Sequence, residues 1–95
     1  MRYQFPRARF VDTSPKFDER QFLAMKRECN EIKHAIADRE IPDRILEEVF
    51  DLLHTCETFI RRKEEEGVDV RIMRVFVEQK NRERGYYTDE REVIA

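Results

Sequence analysis

The sequence predicts an all-α protein: an antiparallel helical bundle of three main helices behind an extended N-terminal arm, completed by oligomerisation. Three observations carry that expectation. Apolar residues recur at alternating steps of three and four in separate segments, which is the helical period. Short punctuation divides those segments, with Pro42, Gly67 and Gly85 standing where helices start or stop. The composition is 40% hydrophobic and 42% charged over 95 residues, thin apolar material for a chain whose size already limits the fraction of surface it can bury. A second copy of the chain would supply the missing cover.

Residues 1–16 read as an extended arm. Pro6 and Pro15 break regular structure there, and Tyr3, Phe5 and Phe10 are placed to pack through their rings, with room for a short strand. The first helix is expected to begin near Asp18, an N-cap with Gln21 at N3 and with Phe17 and Phe22 as a hydrophobic staple. Its stripe is Phe22, Met25, Cys29, Ile32 and Ile36. The second starts around Pro42, a favoured first-turn residue, and carries Ile45, Leu46, Val49, Leu52, Leu53, Cys56 and Ile60 until Gly67 stops it. The third opens at Asp69 as N-cap, with Val68 and Met73 as staple, and runs through Phe76 towards Gly85. A polar tail, 86–95, follows the helical core of 18–85, and the whole reads as one domain, 1–95. Four or five residues join the first two helices, short enough to make them antiparallel neighbours.

Charge excludes some functions. With 19 basic and 21 acidic residues the net charge is -2, not the basic footprint of a nucleic-acid polymer binder. No apolar run approaches the roughly 20 residues of a membrane span, and "MRYQFPRARF" lacks the apolar stretch of a secretory signal. A cytoplasmic location is expected. Cys29 and Cys56 have no CxxC spacing and read as two reduced core thiols.

The acids are more informative. Glu28 and Glu31 lie three apart on the first helix, and Glu48 and Asp51, inside "EEVFD", lie three apart on the second, so each pair shares a patch of helix surface. At about 100° per residue, Glu28 and Glu31 stand about 60° and 120° from their stripe, and Glu48 and Asp51 about 100° and 160° from theirs. Asp51 faces a cleft only if its helix has a second interface. Converging carboxylates repel unless a cation sits between them, and hard divalent ions take oxygen ligands; the alternative is four acids on solvated helix faces. The same region offers Glu31-x-x-His34 and Asp51-x-x-His54, a pattern resembling di-iron carboxylate bundles. His34 and His54, about 180° and 140° off their stripes, are expected to face solvent instead.

Near the C-terminus the chain reads "KNRERGYY", residues 80–87. Lys80 and Arg84 are cations, Asn81 donates and accepts, and Tyr86 and Tyr87 offer flat faces. These residues suit phosphates and a base, or equally a basic helix end on the negative pole of the macrodipole followed by a glycine stop.

Taken together, Glu28-x-x-Glu31, Glu48-x-x-Asp51 after sixteen intervening residues, and "KNRERGYY" beyond a further helix resemble the MazG-like all-α nucleoside-triphosphate pyrophosphohydrolases, in their short single-domain form. The likeness spans roughly residues 18–87. It implies Glu28, Glu31, Glu48 and Asp51 as ligands of Mg²⁺, with Mn²⁺ as a substitute. Lys80 and Asn81 become phosphate or sugar contacts, assisted by Arg84, with Tyr86 or Tyr87 stacking on the base. Glu31 or Glu48 would accept the proton as water attacks the α-phosphorus, giving a nucleoside monophosphate and pyrophosphate. The thin apolar composition leads to the expectation of a homodimer or homotetramer. Arg27 departs from the family's habit of opening the first acidic motif with two acids. The rival readings are a non-catalytic, dimeric helical interaction module and a degenerate family member that binds nucleotide without turnover.

Overall fold

The computed structural model describes residues 2–9 and 11–88. Phe10 and most of the expected polar tail, from 89 to 95, lie outside the described residues. The protein is all-helical: α1 spans Phe17–Ala37, α2 Pro42–Glu65 and α3 Val70–Glu83. No strand occurs among the described residues, and no helix among them is long and apolar enough to cross a membrane.

Local chemistry explains the helix ends. Pro42 occupies the first position of α2, where its missing N–H costs nothing. Asp69 caps α3, its carboxylate accepting a hydrogen bond from the Ile72 amide at 3.1 Å. The start of α1 differs from the expectation. Its cap is Lys16, with no side-chain capping bond, and Asp18 instead accepts hydrogen bonds from Lys63 Nζ on α2 at 2.6 and 2.7 Å. Phe17 turns into the interhelical seam and is buried, while Phe22 is 58% exposed, so the two form no staple. The preceding turn is held by Asp12, which accepts hydrogen bonds from the Ser14 amide at 2.7 Å and Arg20 Nη1 at 3.0 Å. Those bonds, from Ser14 first and then Arg20, hold its carboxyl down at about 2.

All three helices end the same way. After α2, Gly67 has φ 98, its amide bonds to the Glu64 carbonyl, and the Val68 amide bonds to that of Lys63, both at 3.0 Å. This is a Schellman end, in which a left-handed residue lets two amides satisfy the last carbonyls. At the end of α1 the left-handed position falls on Arg39, with φ 54, and the Arg39 and Glu40 amides bond to Ile36 and Ala35. A side chain in that conformation costs roughly 1–2 kcal/mol.

α1 and α2 run side by side in opposite directions. Phe17 packs on Phe59 with ring centroids 6.0 Å apart, Gln21 Nε2 donates to the Thr55 carbonyl at 2.9 Å, and Glu28 meets Glu48 and Asp51. The partners descend along α2 as they climb α1. This seam does not follow the apolar stripes. On α1 it runs through Phe17, Gln21, Glu28 and Ala35, about 80° from the stripe centre; on α2 it runs through Glu48, Thr55 and Phe59, about 100° from the stripe. Part of each stripe is left outside, with Ile36, Leu46 and Val49 exposed, whereas Met25, Ile32, Ile45, Leu52, Leu53 and Ile60 are half-buried. Cys29 is exposed and Cys56 half-buried, burial pushing its thiol up, so neither is the core thiol the stripe suggested.

The arm grips the opposite flank of α2. Glu57, only 5% exposed, accepts hydrogen bonds from the amides of Gln4 and Phe5, each at 2.9 Å. Arg61 Nη2 donates to the Phe5 carbonyl at 2.6 Å, and its guanidinium lies 4.0 Å over the Tyr3 ring. The Tyr3 hydroxyl donates to Glu64 at 3.0 Å, and Arg7 pairs with Glu65. The Phe5 ring stacks on His54 at 5.1 Å and meets Phe50 edge-on. His54 is thus half-buried rather than solvent-facing, with Nε2 buried and unpartnered.

α3 stands apart. It makes no contact with α1 among the described residues and only a slight one with α2. Between α2 and α3 lies a groove of about 400 Å³ walled by Phe59, Ile60, Val68, Val70, Met73 and Val77. Among the described residues the buried apolar set is Phe17, Ala35 and Val70.

Candidate functional site

The flank-to-flank seam brings acids together. One carboxylate oxygen from each of Glu28, Glu48 and Asp51 lies within 4.8 Å of the others. Asp51, far from its own stripe, reaches the group because the seam itself runs along that flank. Glu48 is 6% exposed, Glu28 half-buried and Asp51 exposed. Glu31 is exposed and outside that group, yet its charge bears on Glu28. The Glu28 carboxyl is pushed up, first by burial and then by the charges of Asp51, Glu48 and Glu31. Gathering like charges in a partly desolvated place favours the protonated form.

One cation already serves the cluster. Arg44 Nη2 lies 2.7 Å from Glu48 Oε1, and its Nη1 lies 3.0 Å from Glu47 Oε2. The buried Glu48 is therefore charge-paired, as a buried carboxylate requires. Arg44 stands four residues before Glu48 on the same helix, a neighbour by spacing that the acidic motifs do not single out. No motif signals Glu57, whose role depends on contacts with the distant arm.

The C-terminal residues lie elsewhere. Lys80 and Arg84 are exposed and Asn81 is half-buried along the last turn of α3. Tyr86 and Tyr87 follow Gly85 and are exposed, with the Arg82 guanidinium 6.0 Å over the Tyr87 ring. Among the described residues α3 makes no contact with α1, which carries Glu28 and Glu31. His34 is exposed, and His54 faces the arm. No histidine joins the acidic group among the described residues.

Comparison of the chain with protein-family models, with curated proteins and with solved structures found no match.

Proposed function

We propose that the protein is a Mg²⁺-dependent nucleoside-triphosphate pyrophosphohydrolase of the MazG-like kind, acting as a homodimer or homotetramer. The observation that carries the reading is the convergence of Glu28, Glu48 and Asp51 from two helices. Three oxygen donors at that spacing fit a hard divalent ion in donor type, and burial, then the charges of Asp51, Glu48 and Glu31, push the Glu28 carboxyl up. In this reading Mg²⁺ neutralises triphosphate oxygens and activates water for attack on the α-phosphorus. Glu28, Glu48 and Asp51 hold the ion, and Glu31, exposed beside them, is free to accept a proton or add a fourth ligand. Lys80, Asn81 and Arg84 contact phosphate or sugar and Tyr86 or Tyr87 the base, and they reach the seam from a neighbouring chain.

The test is Glu48→Gln, which keeps the side chain's shape but removes its charge. Pyrophosphate release from a panel of nucleoside triphosphates with Mg²⁺ is expected to disappear while the circular dichroism stays helical. Undiminished turnover would refute the assignment. A second reading, the non-catalytic helical interaction module, is favoured by the breadth of exposed apolar surface. Ligands that bind only the native state raise its melting temperature, so the absence of a shift with every nucleotide plus Mg²⁺ selects that module.

A further inference from the structure

Along the arm and α2, cations are matched by carboxylates. Arg7 pairs with Glu65, Arg44 with Glu48, Arg62 with Glu66, and Lys63 with Asp18. Beyond the end of α2 the matching fails. Arg2 of the arm and Arg71 and Arg74 of α3 line one hollow of about 660 Å³, together with Val75 and Glu78. Glu78 is the one acid in that lining, and Arg74 Nε already meets its Oε1 at 3.2 Å. Arg2 and Arg71 pair with no carboxylate among the described residues. The hollow thus gathers three positive charges against one negative.

The fold holds those cations together. Arg71 and Arg74 lie three apart on α3, so they share one patch of helix surface, and like charges at close helical spacing destabilise the helix that carries them. Arg2 comes from nearly seventy residues away in the chain. Its neighbours are pinned to α2: the Tyr3 hydroxyl donates to Glu64 at 3.0 Å, and the Gln4 amide donates to Glu57 at 2.9 Å. An anion placed among the three would offset a repulsion that the packing imposes.

We propose that this hollow is an anion site for a phosphate-bearing ligand with two or more negative charges. Guanidinium groups present paired N–H donors that match phosphate oxygens in geometry. A tetrahedral phosphate offers oxygens in several directions, enough for Arg2, Arg71 and Arg74 together, whereas a single carboxylate has two to share. The volume is that of a small-molecule site. None of Glu28, Glu31, Glu48 and Asp51 lines the hollow, and neither do Lys80, Asn81 and Arg84. The site is therefore separate from the acidic seam and owes nothing to the hydrolysis proposed above.

Isothermal titration of the full chain with sodium tripolyphosphate, at constant ionic strength and without divalent ions, tests the proposal. Phosphatidylcholine vesicles doped with phosphatidic acid, read by co-sedimentation, form a parallel arm. One tripolyphosphate per chain is expected, with an affinity at least about tenfold lower in Arg71→Gln/Arg74→Gln. Both side chains are exposed, so this variant keeps its helical circular dichroism. Lys26→Gln/Lys33→Gln removes the same charge from exposed positions on α1 and is expected to bind like the parent. Capture by the doped vesicles alone, lost in the arginine variant, would assign the site to a lipid headgroup instead of a free phosphate. Binding to neither probe would overturn the proposal, as would equal losses in the two variants. Equal affinity for an oligoglutamate peptide would overturn it too, marking the surface as one for acidic protein. Mg²⁺-dependent turnover enters none of these readouts, so the catalytic reading stands or falls separately.

Discussion

Glu57 ties the beginning of the chain to its middle, and its removal can be worked through in numbers. The carboxylate is buried and accepts amide hydrogen bonds from both Gln4 and Phe5. Hydrogen bonds to a charged partner contribute about 1.5–3 kcal/mol each, so two give a gross loss of about 3–6 kcal/mol on Glu57→Ala. The loss is partly offset, since the freed amides bond to water and several arm residues regain about 1 kcal/mol or more each of conformational entropy. The net expectation is a destabilisation of about 2–3 kcal/mol, read from urea unfolding followed by circular dichroism. The same substitution in a chain lacking residues 2–9 should cost less than about 0.5 kcal/mol, because contacting sites are not additive. Equal costs with and without the arm would show that Glu57 does not act through the arm, and the reasoning would fail.

Two further outcomes are expected. Glu28 is raised from an ordinary value of 4.5, so the folded state binds its proton more tightly than the unfolded one. Its charged form therefore costs stability, and that cost grows as pH rises from the ordinary carboxylate value through the raised one. Glu28→Gln should melt higher than the parent chain at neutral pH without divalent ions, and Mg²⁺ should raise the melting temperature of the parent more than that of the variant; identical responses to Mg²⁺ would remove Glu28 from the ligand set. Arg39→Gly should stabilise the protein by about 1 kcal/mol in the same urea assay, since glycine adopts the left-handed conformation without penalty. A loss of stability would show that the Arg39 side chain contributes more than its backbone costs.

The helices were legible in the sequence because their punctuation is local. Pro42, Asp69, Gly67 and Gly85 act within a turn of themselves, and each does what its chemistry dictates. The mutual rotation of α1 and α2 was not legible. Periodicity locates an apolar stripe but does not say which face meets the neighbour, and here the contact follows the flank of Gln21, Glu28, Glu48 and Thr55. The same rotation explains why Cys29 and Phe22 are outside, and why Asp51, the least promising acid by angle, joins Glu28 and Glu48. His54 was misplaced for a different reason. Its cover comes from Phe5, nearly fifty residues away in the chain, and no helical arithmetic contains that contact. Asp18 behaves similarly, since Lys63 offers its carboxylate a long-range partner where capping offers only a local one.

The bridge from Arg44 to Glu48 carries a last consequence. Any ion drawn to the acidic cluster meets a tenant, for the guanidinium already holds one Glu48 oxygen. Displacing it from Glu48 would leave the side chain on Glu47 alone, in the first turn of α2 just beyond the bend that contains Arg39. The competition between ion and guanidinium would thus be settled in the first turn of α2, beside its connection to α1.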